Sequence, residues 1–189
     1  MPDPRPPEPP MRERIVEAAA RLFSERGYAG TSVREIAAAL GVSNPSLYHH
    51  FGSKADLLVA VLAEPLARVE AAVAEAEGLS GEARTRRLVG GLLDALAVGG
   101  GVAGAALRGT QALPEGHREV AEAARPHVAA LLAEGLTGPD PDLRVAMAMG
   151  AVEAAVRALA AGSPSGPAFA DALEERKGAV TDLALRLLR

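Results

Sequence analysis

The sequence predicts an all-α fold, on three observations. Alanine and leucine dominate the 189 residues, whereas aromatics make up 3% and tryptophan is absent. That composition suits helices better than a sheet built on β-branched and aromatic side chains. Apolar residues recur at three- and four-residue spacing in segment after segment. Between the segments lie serines that suit helix starts, and glycines and prolines that suit helix ends. About nine helices account for nearly the whole chain, with no repeat of the length that marks a solenoid.

Residues 1–10 hold six prolines and cannot sustain a helix ladder, so a disordered or polyproline arm is expected there. The first helix is predicted over 11–26 from Ile15, Ala18, Ala19, Leu22 and Phe23, with Gly27 as its stop. Ser32 and Glu35 make a capping box for a short second helix carrying Ile36, Ala37 and Leu40, which Gly41 ends. Ser43 caps a third, with Pro45 in its first turn and Leu47, Tyr48 and Phe51 following. Two short helices around a tight glycine turn form a helix-turn-helix. Ser53 caps a longer helix from Lys54 to about Glu77, interrupted by Pro65. That proline removes the amide that would bond Val61, which predicts a kink or two helices end to end. Further helices are expected at 81–98, 102–112, 115–135, 142–161 and 168–188. Their breaks fall at Gly99–Gly101, Pro114, Gly138–Pro141 and Gly162–Pro167, with Pro126 bending the 115–135 segment.

Composition also excludes function classes. With no cysteine, disulfides, thiolate zinc sites, iron–sulfur clusters and cysteine nucleophiles are all ruled out, and a reducing, cytoplasmic setting is expected. No apolar run reaches bilayer length, and the proline-rich start leaves no place for a signal peptide, so neither membrane nor export is expected. There is no nucleophile elbow, phosphate loop or zincin motif, and Gly99–Gly101 lacks the preceding strand of a nucleotide fingerprint. No catalytic residue and no cofactor are therefore assigned. His49 and His50 are vicinal on a helix and point in different directions, so no metal site is assigned either. Charge is uneven: residues 11–55 carry a net +2 and residues 56–189 a net −5. A mildly positive head on an acidic body suits a head that alone approaches a polyanion.

The segment Thr31–Lys54, TSVREIAAALGVSNPSLYHHFGSK, resembles the tetracycline-repressor (TetR/AcrR) family of bacterial transcription regulators, and the likeness extends from Met11 to about Leu62. The resemblance implies a three-helix DNA-binding domain at 11–56, then a ligand-binding and dimerisation domain at 57–189. A recognition helix presents its N-terminal side chains to base edges in the major groove while residues around it hold phosphates. Asn44 and Ser46 are then candidates for base contacts, with Pro45 offering an apolar contact and Arg34 reaching a base or a phosphate. Tyr48, His49 and Lys54 match positions that the family uses mostly for phosphate or groove wall. Ser32, Ser43 and His50 join them as phosphate candidates, against the plainer readings of helix caps for the serines and a surface residue for His50.

Within the C-terminal part, Thr110, Gln111 and His127 are the candidate effector contacts; packing without a ligand explains Thr110 and Gln111 equally well, and a surface or packed histidine is the favoured reading of His127. The last two helices are the expected dimer contact, through Met147, Ala151, Ala155, Leu159, Leu173, Val180 and Leu183. The resemblance implies a cytoplasmic homodimer on double-stranded DNA, reading a partly palindromic operator. Repression is favoured over activation, with release by an unidentified small-molecule effector that shifts the linking helix at its Pro65 kink. A regulator of this fold without a small-molecule ligand, and a helical enzyme on the same scaffold, stay open as alternatives.

Overall fold

A computed structural model describes residues 9–108, 126–134, 136–160 and 167–189. Among them are eight helices and no strand: α1 Met11–Arg26, α2 Val33–Leu40, α3 Asn44–His50, α4 Lys54–Glu77, α5 Gly81–Arg108, α6 at 126–133, α7 Pro141–Ala160 and α8 Pro167–Leu188. The first ends as expected, on the amide of Gly27 donating to the Phe23 carbonyl. The turn between α2 and α3 depends on Gly41, whose φ of 68° is left-handed and costs glycine nothing. Pro141 and Pro167 open α7 and α8, where a missing N–H leaves no intrahelical bond unmade.

Ile15, Ala18, Ala19, Leu22 and Phe23 of α1 are all buried, together with Ile36, Leu47, Phe51, Leu57 and Leu58. The same apolar cluster continues through Val61, Leu62 and Val69 of α4 into Leu88, Leu93 and Leu96 of α5 and Phe169 and Leu173 of α8. Helix α4 packs along α5, α5 also touches α1 and α8, and α7 pairs with α8. The head of the molecule is thus seated on both α4 and α5.

Two expected breaks are absent. Residues 81–98 and 102–112 were expected as separate helices, yet α5 runs unbroken through Gly99, Gly100 and Gly101 to Arg108. Glycine lowers helix stability by about 1 kcal/mol per position but keeps its N–H donor, so the ladder continues where the packing upstream holds it. Likewise α4 is one helix from Lys54 to Glu77 with a buried Pro65 inside it, which removes the end-to-end alternative. The tail at 1–8, the remainder of 102–112, the breaks at Pro114 and Gly162–Gly166 and the start of 115–135 lie outside the described residues.

At one place α4 and α5 meet through backbone. A Cβ on Gly91 would lie 2.1 Å from that of Ala72, so only glycine permits this approach. Nearby, the buried Arg84 donates from Nε to the Leu79 carbonyl at 2.8 Å and pairs through Nη1 with Glu134 at 2.6 Å, tying the α4–α5 turn to the end of α6.

Candidate nucleic-acid interface

The helix-turn-helix is held from below by a chain of local contacts. Thr31 is buried, and its hydroxyl lies 2.9 Å from the Gly27 carbonyl and 3.2 Å from that of Leu22, pinning the α1–α2 turn. Sequence reasoning gave Thr31 no role; a small hydroxyl residue just before a cap is a weak signal. Ser32 caps α2 reciprocally: Glu35 N–H donates to its Oγ, while its own N–H and hydroxyl donate to Glu35 Oε2 at 2.8 and 2.7 Å. Glu35 is also bridged by Arg26 Nη1 at 2.8 Å, which fastens the end of α1 to the start of α2. The hydrogen bonds from Ser32, aided by Arg26, hold the Glu35 carboxyl below the usual glutamate range.

This arrangement bears on Ser32 as a phosphate candidate. Its one hydroxyl proton is committed to Glu35, so here it works as a cap and has no donor to offer. Ser43 differs. Its Oγ accepts from Ser46 N–H at 3.3 Å, which caps α3 and leaves its hydroxyl proton able to point outward.

Helix α3 has two faces because Leu47 and its C-cap Phe51, four apart, are both buried, and the helix packs against α2. Asn44 and Tyr48 then share one outward row, Pro45 and His49 a second, Ser46 and His50 a third. Tyr48 is half-exposed at 50%, a large surface for an aromatic ring. His49 and Pro45 are exposed, and Asn44, Ser46 and His50 are partly so. The His49 and His50 rings meet edge to face at 5.6 Å, and among the described residues no cluster of three or more metal-ligating side chains forms around them. Arg34, in the first turn of α2, is exposed. Lys54 opens α4 with its Nζ over the Tyr28 ring, 4.1 Å from the centroid. Of these residues Arg34, Ser43, Pro45, Tyr48 and His49 are exposed, and Asn44, Ser46, His50 and Lys54 are partly so.

The C-terminal candidates scatter. Thr110 and Gln111 lie outside the described residues. His127 is exposed on α6 with its Nε2 3.6 Å from Glu77 at the end of α4, and it lines none of the recesses described below. Among the seven dimer candidates, Leu173 (1% exposed) and Val180 (8%) fill the subunit's own core, which withdraws them from its surface. Met147 (51%) and Leu183 (44%) stand exposed, joined by Leu143, which the sequence reading did not single out. Ala151, Ala155 and Leu159 are partly exposed.

The described residues of α5–α8 form several recesses. One, of about 10 Å³, is enclosed by Leu88, Val89, Leu92, Val128, Leu132 and Val152 and holds at most a water-sized void. A second, about 180 Å³, lies beside Arg84, Thr85 and Glu134. Another, about 570 Å³, opens between α6 and α7 and is walled by alanines, Pro126, Val145, Met149 and Asp142.

Residues 15–61 match the family of bacterial regulatory proteins described as the tetR family. Among characterised relatives, the transcriptional repressor AcnR of Corynebacterium glutamicum is 42% identical over 64 residues, which is 34% of this chain and 34% of that protein. The matched segment thus spans about a third of the length of such relatives. Solved structures match over nearly the whole chain. AmtR of Mycobacterium smegmatis is 30% identical with a TM-score of 0.71, covering 98% of this chain and 89% of its own. AibR, solved with isovaleryl coenzyme A and operator DNA, is 25% identical with a TM-score of 0.64, covering 89% of this chain and 95% of its own. A head whose residues 15–61 match the family model, on a helical fold that matches AmtR over 98% of this chain at 30% identity and the TetR-family regulator PfmR of Thermus thermophilus over 92%, establishes that this chain belongs to the tetR family of bacterial regulatory proteins.

Proposed function

We propose that this chain is a homodimeric transcriptional repressor that reads a partly palindromic operator through α3 and is released by a small molecule bound in the α5–α8 body. One observation carries the reading: α3 is clamped at Leu47 and Phe51 while Asn44, Pro45, Ser46, Tyr48 and His49 face outward from a capped, rigid turn. A helix backbone held that way has little freedom to lose when it meets DNA. In this reading Asn44 and Ser46 contact bases, with Pro45 against a thymine methyl and Arg34 at the groove edge. Ser43, Tyr48, His49, His50 and Lys54 hold phosphates and set the register. The repressors among the relatives support operator reading, and AibR, solved with both isovaleryl coenzyme A and operator DNA, supports ligand binding on a DNA-binding protein of this fold.

A helix-turn-helix makes few base contacts alone, and a two-fold dimer doubles them. Leu143, Met147 and Leu183 are exposed apolar side chains on the paired helices α7 and α8, the surface such a dimer would cover. The recess between α6 and α7 is the effector site in this reading: mostly apolar, large enough for a small organic molecule, with Asp142 to orient a donor group. A second reading, regulation without a small molecule, is favoured by the nearly filled interior between α5, α6 and α7.

The test is binding to DNA from upstream of the protein's own gene, compared with random DNA across a salt titration. Saturable binding far tighter than to random DNA, weakened by Asn44→Ala and Tyr48→Phe, is expected. Equal weak binding to both would overturn operator reading as stated. A thermal-shift screen with the free protein then separates the two readings of the body: stabilisation by a compound that also lowers operator affinity supports effector release, and none doing so supports the second.

A further inference from the structure

Four of the chain's five aromatic residues, Phe23, Tyr28, Tyr48 and Phe51, fall between residues 11 and 56. Two of them carry a cation on the ring face: Lys54 Nζ lies 4.1 Å from the Tyr28 centroid, and the Arg12 guanidinium carbon 4.9 Å from that of Phe51. The Tyr28 ring is itself fixed, edge-on to the buried Phe23 ring at 5.3 Å and 63°. The Tyr28 carbonyl also accepts the Thr31 N–H at 3.3 Å.

A lysine on a surface helix ordinarily swings on four rotatable bonds and loses that freedom when it grips an anion. Lys54 is already held, and what holds it is uncharged. Arg26 shows the alternative, since its partner is the Glu35 carboxylate, which cancels its charge for anything arriving from outside. Among the described residues Lys54 has no carboxylate partner. A ring face attracts the ammonium without neutralising it, so the full positive charge stays available to a phosphate.

We infer that Tyr28 is a positioning residue for DNA binding, aligning Lys54 for a backbone phosphate while leaving its charge uncompensated. The inference rests on the proposed phosphate role of Lys54, and the experiment separates the two. Binding of the full-length protein to a random-sequence duplex is measured against salt for wild type, Lys54→Met, Tyr28→Leu, Tyr28→Phe and the Lys54→Met/Tyr28→Leu double variant. Lys54→Met is expected to lower the salt slope by about 0.9 per subunit, the loss of one phosphate contact. Tyr28→Leu is expected to weaken binding about two- to fivefold per subunit in the wild-type background. It should have no further effect once Lys54 is gone, while Tyr28→Phe binds as wild type does.

An unchanged slope for Lys54→Met would overturn the phosphate reading and this inference with it. A lowered slope with Tyr28→Leu either silent or equally costly in both backgrounds would leave Lys54 as a phosphate contact and overturn positioning. A readout free of DNA stands beside these. The Lys54 ε-methylene protons should be shifted upfield by the ring in wild type and Tyr28→Phe but not in Tyr28→Leu, and their absence from the shifted position in wild type would also overturn positioning.

Discussion

Glu35 illustrates how much one side chain arranges at the head. It closes the Ser32 capping box and takes the Arg26 guanidinium, and both favour its charged form. A carboxyl whose folded value lies below its unfolded value stabilises the protein above the unfolded range and loses that contribution as pH falls through the folded one. Stability should therefore decline on acidification through and below the ordinary glutamate range, and Glu35→Gln should lower the neutral-pH melting temperature and flatten that acid limb. A melting temperature of Glu35→Gln equal to wild type at pH 7 would contradict the assignment. At the surface of α3 the corresponding prediction concerns sequence readout. Asn44→Ala should relax discrimination at one operator position by about 1–3 kcal/mol, seen as a flattened preference in competition with single-base operator variants. The serine caps and the outward rows of α3 were readable in the sequence because a cap is a four-residue pattern and a two-turn helix has few ways to point. The grip of Tyr28 on Lys54 was not, because the two residues are far apart in sequence and nothing local joins them.

Among the elements, α4 joins the head to the body, because it begins at the head and packs against α5. Its contact at Gly91 and Ala72 leaves no room for a methyl group. Gly91→Ala should force α4 and α5 apart and lower stability by about 1–3 kcal/mol, the usual cost of overpacking, and Ala72→Gly in the same chain should recover part of it. Chemical denaturation of the single and double variants checks both. Pro65 poses the complementary question. It is buried within a continuous helix, so the missing hydrogen bond at Val61 is a weak point that packing holds together. If that point is the hinge of effector release, Pro65→Ala should change effector-induced dissociation more than operator affinity in the absence of effector. The opposite pattern in a titration would locate the hinge elsewhere. At the glycine run 99–101, breaking tendency along the chain predicted two helices, and the structure has one.

At the level of the whole molecule, function in the proposed reading depends on a second copy. Leu143, Met147 and Leu183 are apolar and uncovered, whereas Leu173 and Val180, which share the helical pattern, face inward. Met147→Glu with Leu183→Glu should yield a folded monomer by sedimentation velocity, because neither side chain supports the core. Linking two heads gains much of its affinity from effective concentration, so operator binding by that monomer should fall by about 10²-fold or more. A dimer that survives both changes would move the interface to another face. The charge asymmetry also acts at this scale: in the proposed reading, a body with a net of −5 beside a head of +2 favours the head as the end that approaches DNA.

The sequence by itself determined the fold class, the helix-turn-helix and the residues on its outer side. Those features follow from local rules: helical spacing of apolar residues, serine caps, a left-handed glycine and a proline in a first turn. Only the tertiary structure decided which residues of the last two helices are core and which are surface, whether α4 and α5 run unbroken, and what holds Lys54. Each of those depends on neighbours distant along the chain, and a helical pattern states that a face is apolar without stating what will cover it.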